Sequence, residues 1–450
     1  MSLSVWSILV VILLLGVLVT IHELGHYWVA SLLGIKAYEV SIFVGPKLFS
    51  WTHKDCEFSI RCIPFGAYVR FTEIDDNGNP VESDDPDLLV NQKRWKRLIV
   101  ALAGPVMNII LAIIVLTVMY TVSPFNSLDV APPFEGSQMA EQQYGLGDTI
   151  LEINGHRVFT YLDFYYEMDT LADPLEPMTV KLRSKQSGDT YELTLTPVIG
   201  KRPMIGIVTY QGEGITYKYN GWEIADVDEN QNGGNPVLKV GDYLTHVNGK
   251  SVLDEDFYSY LDTLGDGDTL HLTYVRNGEI REDDITYTTM QYTNDRGIRC
   301  YSYKVDSVKG FFMAFSYAVK MPVTVATMSV KAIGEVFRGR EKVYNMVSGP
   351  VGVTTIVSDV VDDVDDPVGD KVYYVFLLLA VISIGLAFTN LLPIPGLDGI
   401  QILLIIVEMV MGRPLSKRAE NVLNVVGFVM LMCLVIFALA SDIIRIIIER

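Results

Sequence analysis

The sequence predicts a polytopic α-helical membrane protein of about four transmembrane helices, carrying a re-entrant β-hairpin and a large exported α+β portion. Three observations lead there. Half of the 450 residues are hydrophobic and mean hydropathy is positive, although the net charge is −19. Four apolar runs are long enough to cross about 30 Å of hydrocarbon. Between two of them, residues 121–370 hold 20 Lys or Arg against 38 Asp or Glu, a net of −18, so nearly all the acidity sits in one segment. Charge of that sign argues against a nucleic-acid partner.

The first run extends from Leu3 to Thr20 and onward to about Leu33. It lacks a basic leading region and a small-x-small cleavage site, so it reads as a retained membrane helix. Inside it stands Val19-Thr20-Ile21-His22-Glu23-Leu24-Gly25-His26. On a helix, His22 and His26 lie one turn apart on one face, where two imidazole nitrogens can share a single zinc ion. Glu23, beside them, can take a proton from a water that the metal polarises. The ordinary alternative is two histidines satisfied within a helix bundle. Ionisable groups at membrane depth, however, cost about 3 kcal/mol each on insertion scales, which favours the metal reading.

Further runs cover Leu98–Val122, Val372–Leu392 and Val422–Ala440. Another apolar stretch, Phe311–Phe337, is interrupted by Lys320, Pro322, Lys331 and Glu335 and is expected to lie along the membrane interface. Basic residues gather at Lys93, Arg94, Lys96 and Arg97, and again at Arg413, Lys417 and Arg418. Those two loops are therefore placed in the cytoplasm and the acidic middle segment outside, with Arg445 and Arg450 running mildly against the rule. Cys56, Cys62, Cys300 and Cys433 then fall in different compartments, and no disulfide framework is implied.

Residues Phe58 to Phe71 read as a strand, a Pro64-Phe65-Gly66 turn and a second strand. This hairpin is either a small cytoplasmic sheet or a ribbon dipping toward the metal, whose edge can pair with an extended chain. Asp75 to Asp87 is an acidic, solvated loop. The second span contains Ala103-Gly104-Pro105-Val106-Met107-Asn108, where small residues let helices approach closely and Asn108 must find a partner inside the bundle.

In the acidic segment, Gly147-Asp-Thr-Ile-Leu-Glu-Ile-Asn-Gly-His-Arg-Val158 recurs 94 residues later as Gly241-Asp-Tyr-Leu-Thr-His-Val-Asn-Gly-Lys-Ser-Val252. Each copy is a Gly-Asp turn, an apolar strand and an Asn-Gly hairpin turn. Both resemble PDZ domains, which implies two tandem PDZ-like domains, over about 123–215 and 216–308. Such domains either bind extended peptides or act as a gate. The interfacial stretch would then occupy 309–371, with Ser348-Gly-Pro-Val-Gly352 and the acidic run from Asp362 to Asp370 near its end.

The third span ends in Phe388-Thr-Asn390-Leu-Leu-Pro393-Ile-Pro395-Gly-Leu-Asp398-Gly399. Two prolines two residues apart open the helix backbone. Asp398 is thereby an acid at the cytoplasmic end of an apolar span, level with His22 and His26. Zinc held by two histidines needs a third ligand and, when catalytic, keeps a fourth position for water. Asp398 is the best candidate, its plain alternative being a helix cap.

With those residues on the page, the whole chain resembles the site-2 protease family of intramembrane zinc metalloproteases, and within it the bacterial RseP and RasP type. The resemblance implies one zinc ion held by His22, His26 and Asp398, with Glu23 activating the water. It implies that Asn390 and the hairpin residues Pro64, Phe65, Gly66, Ala67 and Tyr68 contact the substrate, a single-span membrane protein such as an anti-sigma factor or a signal-peptide remnant. Residues 1–122 and 372–450 would then form the membrane core in a bacterial inner membrane, with the site toward the cytoplasm. Ala67 and Ile400 depart from the family pattern, in which glycine is frequent at both places. A membrane chaperone or receptor working through the PDZ-like domains over a vestigial metal site is the competing class, disfavoured because all three ligands and the base are present.

Overall fold

The computed structural model describes residues 5–73, 81, 84–168, 176–197, 199–209, 218–293, 296–338, 350–361, 368–394, 396–413 and 417–448. Most of the loop expected at 75–87, and with it Ser348, Gly349, Asp362 and Pro395, lies outside them. The chain divides into two compact units. One comprises 1–128, 158–166 and 301–450, and the other 129–157 and 167–300.

The first unit begins with α1 (Val5–Leu32), in which Val11, Leu14 and Leu18 form a buried stripe at helical spacing. His22 and His26 continue that stripe, so the helix turns its packed face from apolar to polar without changing direction. Trp6, Leu9, Leu13 and Val17 are exposed on another side, as a lipid-facing surface requires. Next come β1 (Glu39–His53) and β2 (Cys56–Arg70), then α2 (Arg94–Val122).

The two strands are longer than the expected hairpin, and they fold on each other twice. Val40 lies opposite both Phe58 and Val69, and Ser41 opposite both Ser59 and Tyr68. Residues 39–42 therefore sit between 57–60 and 67–70, while 49–53 pair outside 56–60. The two strands expected to pair around Pro64 are thus held apart by a row that the sequence reading missed. Glu39 explains the arrangement. Its buried carboxylate accepts from Arg61 at 2.6 Å, Ser59 at 3.0 Å and Arg70 at 3.3 Å, donors drawn from both flanking rows. A buried charge is tolerated only when paired in this way, so these contacts fix the register.

In the acidic segment, β3 (Phe125–Val130), β4 (Thr149–Ile153), β5 (His156–Arg157), α3 (Tyr161–Tyr166), β6 (Met178–Arg183) and β7 (Thr190–Leu195) follow in order. Strands run β3-β4-β6-β7 with β5 beside β4, over a core that includes Ile150, Ile153, Val180 and Leu182. The second copy contains β8 (Ile199–Met204), β9 (Ile207–Thr209), β10 (Trp222–Val227), β11 (Tyr243–Val247), β12 (Lys250–Ser251), α4 (Phe257–Leu261), β13 (Thr269–Arg276), β14 (Glu279–Thr286) and β15 (Thr288–Thr293). Its sheet has the order β14-β13-β11-β10-β9 around Ile224, Leu244, Leu270 and Phe257. Each Asn-Gly turn adopts positive φ at both residues, 49° and 78° at 154–155 and 51° and 76° at 248–249, as the pair predicts.

The division near residue 215 is not where the strands divide. β9 belongs to the sheet of the second copy, and β8 pairs with β15. Beyond β15 the chain returns to the first copy, where Ala131 N donates to Arg299 O at 2.8 Å and Met139 N to Arg296 O at 2.9 Å. The second copy is therefore nested within the first, not simply placed after it. A short strand, β16 (Cys300–Tyr303), leads back to the helices.

These are α5 (Val308–Phe337), α6 (Pro350–Val361), α7 (Val368–Leu391), α8 (Asp398–Met411) and α9 (Lys417–Ile448). By length and composition, Trp6–Leu32, Arg94–Val122, Val308–Val336 and Gly369–Leu391 can each cross a membrane, and the chain is a polytopic membrane protein. The set includes α5, which the sequence reading laid along the interface. The expected span 422–440 falls inside α9. One side of α5 is polar in its contacts: Thr324 shares a hydroxyl hydrogen bond with Thr160 at 3.0 Å, and Lys331 pairs with Asp163 of α3 at 3.4 Å. Ala112, Leu116 and Met119 of α2 meet Ala318 and Met321 of α5 and Ala380 and Ile384 of α7.

Candidate metal centre

Three helices deliver the site. α1 brings His22 and His26 at the end of its buried stripe, α2 backs them, and α8 starts with Asp398 after the break that Pro393 introduces. The close approach of α2 depends on Gly104, where a Cβ would stand 2.6 Å from His22 Nε2. Across the same crossing, a Cβ on Gly25 would come within 2.7 Å of the Ala103 carbonyl. Gly399 is constrained likewise, since a side chain there would overlap the carbonyls of Leu391 and Leu392.

His26 Nδ1 lies 2.7 Å from the carbonyl oxygen of Val100, which can only accept. That contact puts the proton on Nδ1 and leaves the Nε2 lone pair facing inward. His22 Nε2 stands 3.2 Å from His26 Nε2, and Asp398 Oδ2 lies 2.9 Å from the first and 3.4 Å from the second. Despite those distances, Oδ2 is buried outside hydrogen-bonding geometry with any donor. The three atoms converge on a common point instead of pairing. Their separations match the edges of a tetrahedron with metal–ligand bonds near 2.0–2.1 Å, for which about 3.3 Å is required. Among the described residues, His22, His26 and Asp398 form the group of His, Cys, Asp or Glu able to hold a metal. Two neutral nitrogens and one carboxylate oxygen suit zinc and leave one position open.

His22 Nδ1 has an amide on either side, Asn108 Nδ2 and Asn390 Nδ2, each at 3.4 Å. With Nε2 facing the cluster, Nδ1 carries the proton and needs an acceptor. Asn108 is fully buried and its Oδ1 has no partner. Turning that amide over, an assignment set only by its hydrogen bonds, aims the oxygen at His22 Nδ1. Ser383 on α7 donates to the Asn108 carbonyl at 2.8 Å and anchors this stretch of α2.

Glu23 accepts from Val69 N at 3.0 Å, which ties α1 to the outer row of the sheet. Its carboxylate borders two cavities. One, of about 530 Å³, is lined by Glu23, His26, Tyr68, Val69, Asp398 and Glu408 among others, and the other, of about 240 Å³, by His22, Glu23, Asn390 and Asp398 among others. The cluster is thus reachable from two sides.

Of the hairpin residues singled out from sequence, Tyr68 lines the larger cavity. Gly66 supplies a positive φ of 76° where β2 changes register, Ala67 pairs with Ile42, Pro64 is exposed, and the Phe65 side chain lies outside the described residues. Asn390, singled out as a substrate contact, has its Nδ2 3.4 Å from His22 Nδ1. Sequence reasoning missed the Val100 carbonyl, the Val69 amide and Glu408. The first two are backbone groups with no signature, but Glu408 is a charge in an apolar helix and answers to the same cost argument that singled out His22.

The sequence matches Peptidase family M50 over residues 10–434. It is 24% identical to the regulator of sigma E protease of Haemophilus influenzae, with 98% of this chain and 99% of that one aligned. Zinc metalloprotease RasP of Oceanobacillus iheyensis is 25% identical over 98% of this chain and 99% of its own, and RasP of Shouchella clausii 26% over 97% and 98%. The chain belongs to peptidase family M50, the site-2 type of membrane zinc metalloprotease.

Proposed function

We propose that His22, His26 and Asp398 hold the zinc ion, that Glu23 is the general base, and that the enzyme cuts a peptide bond within or near the transmembrane helix of a single-span protein. The observation that carries this reading is the convergence of two imidazole nitrogens and an otherwise unpartnered carboxylate oxygen in an apolar bundle. When bound, zinc polarises the scissile carbonyl and acidifies a water molecule. Glu23, reaching both cavities, takes the proton of the attacking water and returns it to the leaving amine. Asn390 holds the substrate backbone beside His22.

A helical substrate keeps its carbonyls in internal hydrogen bonds and must unwind before attack. Residues 67–70 form the outer row of the re-entrant sheet, and Val69 N already points at Glu23. An extended substrate adding to this edge regains the hydrogen bonds it gave up. The two nested repeats are PDZ-like domains outside the cytoplasm that either bind peptides or gate entry, and the basic loops place the site toward the cytoplasmic face. The polar contacts of Thr324 and Lys331 with residues 160–163 support α5 lying along the membrane surface. The name of the Haemophilus relative favours an anti-sigma factor as substrate, with signal-peptide remnants as a second class.

Glu23→Gln tests the assignment. The variant should keep zinc and lose about 10³-fold or more in cleavage of a single-span reporter in proteoliposomes, and native turnover in that variant would refute the base. Uncut fragments accumulating in cells that carry it would identify the substrate. A Val69→Pro change removes the edge amide, and unaltered cleavage there would show that edge pairing is not required.

A further inference from the structure

Glu408 is 3% exposed and lies on α8, ten residues beyond Asp398, on a helix otherwise rich in Ile, Leu, Val and Met. Its Oε2 accepts from Arg97 of α2 at 3.0 Å. A carboxylate in such a helix costs about 3 kcal/mol on insertion scales, which an apolar residue would avoid. Both residues border the larger cavity, which Glu23, His26 and Asp398 also line.

We propose that the Arg97–Glu408 pair sets the roll of α8 against α2 and so keeps the Asp398 carboxylate on the two imidazoles. The two are positioning residues, and the inference rests on Asp398 being a zinc ligand. α7 ends at Leu391, and Pro393 in the connection cannot continue its hydrogen-bond ladder. α8 is therefore a separate rod joined by a short link. Apolar contact is non-directional and does not by itself fix the rotation of a helix about its own axis. A roll of about 15° moves a side chain about 5 Å from the helix axis by roughly 1.3 Å, whereas metal–ligand distances tolerate about 0.2 Å. Apolar contact alone leaves too much freedom. A charge-assisted hydrogen bond is directional and removes it. Its donor is well chosen, because α2 also orients His26 through Val100 O and backs both imidazoles at Gly104. One helix is thus the common reference for all three ligands.

The test uses the full chain in detergent, reading zinc affinity by competition with a chromophoric chelator and, separately, melting of the metal-free protein. Arg97→Gln and Glu408→Gln should each weaken zinc binding about tenfold, comparable with the loss of a group that orients a ligand. The double variant Arg97→Met/Glu408→Leu should melt no lower than wild type yet bind zinc equally weakly, and the exchanged pair Arg97→Glu/Glu408→Arg should recover most of the affinity. Wild-type affinity in both glutamine variants, or lower melting alone, would overturn the proposal. Asp398→Asn is the control: if it too binds zinc normally, the ligand assignment fails, and if it alone loses zinc, only the positioning role does.

Discussion

Three aspartates, Asp148 and Asp242 buried and Asp398 partly so, separate the two parts of the molecule. In the first repeat Asp148 accepts from Gly145 N at 3.1 Å, Lys185 N at 2.8 Å and Tyr191 Oη at 2.6 Å. Its counterpart in the second repeat, Asp242, takes Lys239 N at 2.8 Å and both Nε and a terminal nitrogen of Arg276 at 2.8 and 2.6 Å. Asp398 in the helical unit has Oδ2 at 2.9 and 3.4 Å from two histidine nitrogens, yet that oxygen makes no hydrogen bond. An acid whose acceptor sites are all filled by the chain holds a turn together. One that leaves an oxygen bare among lone pairs is open to a cation from outside the chain.

The comparison can be broken most directly at Asp398. Asp398→Asn should lower zinc affinity by about 100-fold or more, beyond the loss expected for an orienting group, and unchanged metal content after purification would place Asp398 with the structural acids. Asn108 gives a smaller, sharper test. Asn108→Leu should cost about tenfold in zinc affinity and Asn108→Asp should restore it, since a carboxylate accepts from His22 Nδ1 and leucine only fills the space. Equal affinity in the two variants would reduce Asn108 to packing.

The repeats should behave in the opposite way. Asp242→Ala leaves Arg276 without its buried partner and should destabilise the second repeat by about 3 kcal/mol. Asp148→Ala should destabilise the first by about 1–3 kcal/mol. Zinc affinity should not move in either variant, and a fall would mean that the acids of the two parts are not separate in kind. The smallest expected effect distinguishes the repeats from each other. Burial, and then the hydrogen bond to Asp148, push the Tyr191 hydroxyl up to about 12. A folded value above the unfolded one means stability fully present below about pH 10 and lost as pH rises toward 12. Tyr191→Phe should flatten that alkaline loss, whereas an unchanged alkaline melting curve would assign it elsewhere.

The positions of His22, Glu23, His26 and Asp398 were legible because each is a costly group in an apolar run, and cost is visible in a sequence. Asn108 was marked for the same reason, though not the ring it would meet. The Asn-Gly turns were legible because their φ angles demand those residues. What stayed hidden has no composition of its own: the Val100 carbonyl, the Val69 amide, and the row 39–42 inserted between the two halves of β2. The nesting of the repeats was hidden because the short segment Arg296–Arg299, which closes the first copy through backbone bonds, through Arg296 on Glu176 O and Met178, and through Arg299 over the Phe134 ring, has no pattern that marks it as part of that copy.

That nesting dictates an order during synthesis. The first repeat has strands up to Leu195 but lacks the Arg296–Arg299 segment that closes on Ala131 and Met139. At ordinary translation speeds the intervening hundred residues take roughly 5–20 s to emerge. Small domains fold faster than that, so the outer repeat waits open at its edge throughout synthesis of the inner one, and a ribosome stalled within the inner repeat would hold an exposed strand beside an unfinished domain.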